Sequence, residues 1–112
     1  MYSQGESYYG SQNYAKARES YENAAAKDNA DAMFKLGVLY ANGQGVARDY
    51  AKAREWYEKA AAKDDASAMF NLGLLYHNGQ GVGRDYAKAR EWYEKAADKG
   101  NTDAMNLSLI HI

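Results

Sequence analysis

The most constraining feature of this 112-residue sequence is a period of 36 residues. It is seen in a recurring tyrosine and in a recurring Ala-Met pair, at Tyr14, Tyr50 and Tyr86, at Ala32, Ala68 and Ala104, and at Met33, Met69 and Met105. A period in this range, built from two helical patterns, is typical of a solenoid in which each unit contacts only its neighbours. We therefore expect a stack of similar units instead of one central core.

Longer segments recur with the same period. Residues 32–45 return with few changes at 68–81, and the segment 49–61 returns without change at 85–97. The first pattern of each unit has apolar residues at helical spacing, at Ala68, Leu72, Leu75 and Tyr76. Because Gly37 and Gly73 carry no side chain, we expect a partner helix to approach closely at these positions.

The second pattern of each unit also predicts an amphipathic helix, with a buried face at Tyr50, Ala53, Tyr57 and Ala60. Its outer face places Arg54 four residues before Glu58, and Glu55 four residues before Lys59, so we expect two ion pairs. Glycine-rich turns at 42–46 and 78–82 separate the two patterns, and Asp49 and Asp85 are suited to cap the second helix.

Composition agrees with an all-α fold and excludes several classes of partner. Proline and cysteine are absent, so helices are favoured and disulfide or thiol chemistry is excluded. The formal net charge of -1, with both signs interspersed, argues against nucleic acid and against an anionic membrane surface. No apolar run approaches the roughly 20 residues of a membrane span. The compartment stays undetermined, with the cytoplasm favoured because the first residues lack the pattern of a signal peptide.

These motifs carry a family resemblance. The order Ala-x3-Leu-Gly-x2-Tyr, Asn-Gly-x-Gly-Val and Asp-Tyr-x2-Ala-x2-Trp-Tyr-x2-Ala-Ala resembles the Sel1-like repeat of the tetratricopeptide superfamily, over roughly residues 4–106. The resemblance implies a right-handed α-solenoid of antiparallel helix pairs. It also implies a concave face that is lined by the first helix of each pair and that serves adaptor and scaffold roles.

Both ends depart from the pattern. Residues 4–29 match a shortened, tetratricopeptide-like cap unit, 30–65 and 66–101 are complete repeats, and 102–112 match a truncated first helix of a further repeat. We thus expect one repeat domain over 1–112 with about seven helices. The register is lost after Met105, where a natural end would normally add a polar capping helix, so we expect a fragment of a longer array. The apolar edge that results predicts self-association through Leu107, Leu109, Ile110 and Ile112.

The main functional hypothesis concerns the first helices. In the tetratricopeptide resemblance, their groove-facing positions are Asp31, Phe34, Lys35, Val38, Ala41 and Asn42, followed by Ser67, Phe70, Asn71, Leu74, His77 and Asn78. Nine of them form the expected site for a protein or peptide: Phe34, Lys35, Val38, Asn42, Phe70, Asn71, Leu74, His77 and Asn78. Apolar anchors would supply most of the binding free energy, and amides would bond to the partner's backbone.

Structural roles compete with this hypothesis for the aromatic residues. Phe34 and Phe70 are equally consistent with packing between repeats, whereas Val38 and Leu74 favour exposure. Packing is also expected for Trp56 and Trp92, and for the tyrosines at repeat positions, Tyr40, Tyr50, Tyr57, Tyr76, Tyr86 and Tyr93.

No residue set predicts catalysis, a metal site or a cofactor. The two histidines, His77 and His111, have no carboxylate or serine at a spacing that would orient them as bases. The inter-repeat aspartates are expected to cap helices, at Asp28, Asp31, Asp64 and Asp65. We expect a non-catalytic interaction scaffold. A purely structural or consensus-like engineered repeat without a dedicated ligand is the alternative.

Overall fold

The computed structural model describes residues 13–105, which form antiparallel α-helices with no strand in that range. The helices are α1 (Tyr14–Ala25), α2 (Ala30–Asn42), α3 (Tyr50–Ala61), α4 (Ala66–Asn78) and α5 (Tyr86–Asp98). A further helix begins at residues 102–105. The predicted all-α class is confirmed. The expected count of about seven is close, and the remaining predicted helix lies before residue 13, outside the described residues.

Each helix packs on the helices that precede and follow it in the chain. The most extensive contacts join α2 to α3 and α4 to α5, and smaller ones join α1 to α2 and α3 to α4. This pattern of nearest-neighbour contacts is that of a solenoid. The described helices are all too short or too polar to span a lipid bilayer.

Short polar side chains begin every helix. Each accepts a hydrogen bond from the backbone N–H three residues later, at Asn13, Asn29, Asp49, Asp65, Asp85 and Asn101. The first helices end at Gly43 and Gly79, both with a φ of 67°, a left-handed conformation that favours glycine. The predicted caps at Asp49, Asp65 and Asp85 are confirmed.

The expectation that Asp28, Asp31 and Asp64 also cap the following helices was wrong, because Asn29 and Asp65 hold those positions and Asp31 lies in the first turn of α2. Asp28 and Asp64 instead adopt positive φ angles of 65° and 67° just after α1 and α3 end. Each carboxylate forms an ion pair with a lysine of the next unit. Lys63 Nζ lies 3.6 Å from Asp28 Oδ1, and Lys99 Nζ lies 3.4 Å from Asp64 Oδ1. These residues therefore end one helix and link adjacent units.

Two helices lie close together at the glycines in the middle of α2 and α4. A Cβ atom on Gly73 would lie 2.5 Å from Tyr93 Cε1, and Gly37 meets Tyr57 in the same way. Both tyrosines are buried, with 2% of Tyr57 and 6% of Tyr93 exposed. The expected close approach is thus present in both complete repeats, and the tyrosine ring fills the space that a side chain would need.

A second close approach joins adjacent units. Gly45 and Gly81, both with a φ of 74°, lie against the first residue of the preceding unit's second helix. A Cβ atom on Gly81 would lie 2.7 Å from the carbonyl carbon of Tyr50, and Tyr50 is half-buried as a result. Tyr86, which no turn of the described chain covers, is 57% exposed. The expectation that Tyr86 packs in the core was wrong.

The outer face of the second helices also differs from expectation. The ion pairs predicted for Arg54 and Lys59 do not form within residues 13–105. Lys59 Nζ instead lies 4.5 Å from the centroid of the Trp56 ring, and Lys95 lies 4.6 Å from Trp92. The half-buried tryptophan one turn earlier offers a cation–π contact that the spacing of charges alone does not reveal.

Asp65 occupies a less favourable position than the equivalent caps Asn29 and Asn101. Burial raises the pKa of Asp65 above its ordinary value of 3.8, and the nearby carboxyl group of Asp31 raises it further. A carboxyl group whose pKa is raised by folding binds its proton more tightly in the folded state. The contribution of Asp65 to the free energy of unfolding therefore falls as the pH rises from near 3.8 through the folded-state pKa.

We predict that Asp65→Asn raises the unfolding temperature at pH 7, because asparagine caps helices as well and carries no charge beside Asp31. The gain should shrink as the pH falls and be absent below the unfolded pKa, where Asp65 is protonated in both states. Thermal unfolding followed by circular dichroism at several pH values measures it, with Asp49→Asn as the matched control for replacing a capping aspartate. A loss of stability at pH 7 would contradict the account.

Candidate functional site

Six of the nine predicted site residues lie together along the middle of the first helices. We call this set the first-helix surface: Phe34, Lys35 and Val38 of α2, and Phe70, Asn71 and Leu74 of α4. All six are half-buried, so they belong neither to the closed core nor to the fully solvated surface. Partly exposed apolar area along a helix can receive the apolar side chains of a docked peptide.

The two phenylalanines combine a packing role with partial exposure. The ring of Phe34 lies 5.8 Å from that of Tyr57, and the ring of Phe70 lies 5.6 Å from that of Tyr93, both in tilted arrangements. Both phenylalanines pack against the buried core. Their inner edges therefore stabilise the fold, while their outer edges stay accessible.

Val38 and Leu74 occupy equivalent positions but differ in their surroundings. Val38 packs against the buried core, whereas Leu74 does not in the described part of the chain. Both stay half-exposed. Leu74 is consequently the apolar side chain of this surface that contributes least to packing of the buried core.

The polar members of the surface are held by neighbouring aromatic rings. Asn71 Nδ2 donates a hydrogen bond of 3.3 Å to the hydroxyl oxygen of Tyr57 in the preceding unit. Lys35 Nζ lies 5.9 Å from the centroid of the Phe34 ring. The amide of Asn71 thus has a structural role that its predicted contact with a partner backbone did not include.

The remaining three predicted residues lie at the ends of the first helices, and all are exposed. Asn42 and Asn78 donate to the turn residues Gln44 and Gln80, at 3.4 and 3.5 Å. His77 lies edge-on to Tyr86, with 5.2 Å between ring centroids. The structure therefore divides the predicted site into a mid-helix group and a turn group.

The first-helix surface carries apolar side chains, the amide of Asn71 and the ammonium group of Lys35. Within residues 13–105, no three histidine, aspartate or glutamate side chains are arranged to hold a metal ion. Burial raises the pKa of the Tyr93 hydroxyl above its ordinary value of 10.0. The described surface thus offers apolar area, amides and one ammonium group.

Sequence reasoning missed a set of cation–aromatic contacts near the turns. Four cations lie over tyrosine rings at 5.5–5.9 Å: Lys52 over Tyr40, Lys88 over Tyr76, Arg48 over Tyr50 and Arg84 over Tyr86. Each cation and each ring recurs after 36 residues. That shared period was the available signal, because it shows that the contacts belong to the repeat.

Two family models match segments of this chain. The Sel1 repeat model matches residues 30–65 and 66–101, and a tetratricopeptide repeat model matches residues 1–28. A search of curated proteins finds no match.

Several solved structures are similar to this chain. A Sel1 repeat protein from Oxalobacter formigenes has a TM-score of 0.92 at 33% identity, with 96% of this chain and 44% of that one covered. A protective antigen of uropathogenic Escherichia coli, which displays an SLR fold, has a TM-score of 0.80 at 42% identity, and the match covers 84% of this chain and 20% of that one. Helicobacter pylori cysteine rich protein B has a TM-score of 0.77 at 29% identity, and the match covers 82% of this chain and 69% of that one. This chain thus spans less than half of the first two proteins.

We predict unequal costs for truncating Phe70 and Leu74. Phe70→Ala should lower the free energy of unfolding by about 2 kcal/mol, below the range for fully buried rings because Phe70 is half-exposed. Leu74→Ala should cost less than about 1 kcal/mol, because few core contacts are lost. Urea unfolding followed by circular dichroism measures both, and equal losses would show that Leu74 is a core residue too.

Proposed function

We propose that this chain, which belongs to the Sel1 repeat family, is a non-catalytic scaffold that binds a peptide or protein segment on its first-helix surface. The Sel1 repeat fold is typically a protein-interaction scaffold, and the family is generally non-enzymatic. The half-buried apolar residues that recur along α2 and α4 support binding at this particular surface.

The recurrence of this surface carries the proposal. Core positions of the first helices are closed, with Leu36 and Leu72 fully buried. On a neighbouring face of the same helices, Val38 and Leu74 are only half-buried, at equivalent positions of successive units. Partial exposure of an apolar side chain at the same place in two units favours binding of a chain that runs across both units.

Polar groups beside the apolar row would fix the orientation of the partner. Exposed amides of Asn42 and Asn78 stand at one end of the row, and the ammonium group of Lys35 stands beside Phe34. Each amide can donate to and accept from a peptide backbone. The partner that fits best is therefore an extended or helical segment with a few apolar side chains and free backbone groups.

A selection of random peptides displayed on phage, carried out against the chain, tests this proposal. Selected peptides should be rich in apolar residues, and Leu74→Ser should weaken their binding by about tenfold because a central anchor is lost. Glu91→Ser, an exposed change on the outer side of α5, is the matched control and should leave affinity unchanged.

A photo-crosslinking side chain introduced at position 74 or 91 locates the bound peptide. Crosslinks from 74 and not from 91 support the first-helix surface. Crosslinks from 91 alone, or full affinity in Leu74→Ser, would contradict it. If no peptide is selected, the alternative of a purely structural repeat is favoured.

We also propose that copies of the chain associate through the C-terminal end of the described array. Two large apolar side chains are exposed there, with 57% of Tyr86 and 40% of Met105 accessible. The residues first expected to form this contact, from Leu107 to Ile112, lie outside the described residues.

Sedimentation velocity over a range of concentrations tests the association. The sedimentation coefficient should rise with concentration, and Tyr86→Ser should reduce the rise because apolar contact area is removed. A chain that stays monomeric at the highest concentration would contradict the proposal.

A further inference from the structure

One edge of the solenoid collects the beginnings of the second helices and the ends of the first helices. Gly45 lies against Tyr14 at the start of α1, and Gly81 lies against Tyr50 at the start of α3. These contacts place the turns of successive units side by side. We call this side of the molecule the turn edge.

Five exposed cations line the turn edge in the described part of the chain. Three are lysines at the third residue of α1, α3 and α5, and two are arginines that precede the caps of α3 and α5: Lys16, Lys52, Lys88, Arg48 and Arg84. All five are exposed. Because they share the 36-residue period, they form two rows that run along the stack.

Aromatic rings hold four of these cations in place. Lys52 and Lys88 lie 5.9 and 5.5 Å from the rings of Tyr40 and Tyr76, at the ends of α2 and α4. Arg84 also donates a hydrogen bond of 3.1 Å from Nη1 to the hydroxyl of Tyr86. A side chain that already rests on a ring loses less conformational freedom when it binds a partner.

Few negative charges oppose the cations at this edge. Asp49 and Asp85 are the adjacent carboxylates, and each accepts the backbone N–H of a turn-edge lysine as a helix cap. At the opposite edge, aspartates and lysines pair with one another, Asp28 with Lys63 and Asp64 with Lys99. The overall net charge of -1 therefore conceals an excess of cations at the turn edge.

We propose that the turn edge binds an acidic segment of another protein in an extended conformation. Because the turn at Gly81 lies against Tyr50 of the preceding unit, equivalent cations of successive units repeat at a distance on the order of 10 Å. An extended chain advances roughly 3.3 Å per residue, so a carboxylate at every third residue matches this spacing. The five cations of the turn edge are distinct from the six residues of the first-helix surface.

The spacing and charge of this edge favour a peptide over nucleic acid. Duplex DNA carries one negative charge per about 1.7 Å of its axis, far denser than the cation rows. Asp49 and Asp85 would also lie close to a continuous phosphate backbone and repel it. A segment with separated carboxylates places its charges at the cations and leaves uncharged residues opposite the aspartates.

Fluorescence anisotropy with a labelled peptide of five Glu-Gly-Ser triplets tests the proposal on the full chain. At low salt the peptide should bind, its Gln-Gly-Ser counterpart should bind about tenfold more weakly, and added salt should weaken the binding of the charged peptide. The double variant Lys52→Gln/Lys88→Gln should lose about tenfold in affinity, and so should Arg48→Gln/Arg84→Gln. Circular dichroism verifies that each variant keeps its helices.

The matched control is Lys59→Gln/Lys95→Gln, which removes the same charge from the lysines over Trp56 and Trp92. It should bind the peptide as the unchanged chain does. Equal loss in the control, or equal binding of the Gln peptide, would overturn the proposal. Tighter binding of an oligothymidylate of about the same length would assign the edge to nucleic acid instead. Dimerisation that competes with the peptide would assign it to a second copy.

Discussion

The contact between a first-helix glycine and a second-helix tyrosine sets the geometry on which the rest of the structure depends. At Gly73 the ring of Tyr93 occupies the space that a side chain would fill, and Gly37 meets Tyr57 in the same way. Because the ring lies against the helix backbone, it can also contact a phenylalanine on the same helix. In the case of Tyr57, its hydroxyl accepts a hydrogen bond from Asn71 of the next unit. Tyr57 thus packs against Gly37 within its own unit and also bonds to the next unit.

The two proposed binding surfaces follow from this repeated geometry. Tyr57 and Tyr93 support the inner edges of Phe34 and Phe70, so the outer edges are presented at matching positions of α2 and α4. The glycine turns place each unit's cations beside those of the preceding unit. In a solenoid, side chains at equivalent positions of successive units line up along the stack, and such a row can contact an extended partner. The apolar row and the basic row have no residue in common.

Much of the fold was predictable because its determinants are local. The caps at Asp49 and Asp85 and the glycine approach at Gly73 depend on residue type and on spacing within one unit. The family and the all-α class followed from the same motifs.

The details of the site depend on neighbours that the spacing within one helix does not reveal. Lys59 rests on Trp56 instead of pairing with Glu55, because the ring competes with the carboxylate. Asn71 bonds to a tyrosine of another unit, and Tyr86 is exposed because the described chain places no turn over it. For the first-helix surface, the sequence could therefore predict position but not the balance between packing and exposure.

The stability of Gly73→Ala, compared with that of Gly83→Ala, tests the central role of the glycine–tyrosine contact most directly. Gly83 has nothing within 4 Å of an added Cβ atom, so its variant should change the free energy of unfolding by less than about 0.5 kcal/mol. At Gly73, overpacking of about 3 kcal/mol should exceed a gain in helix propensity of about 1 kcal/mol, for a net loss of about 2 kcal/mol. Urea unfolding measures both variants. If Gly73→Ala is as stable as the unchanged chain, close approach at this glycine does not set the geometry of the repeat.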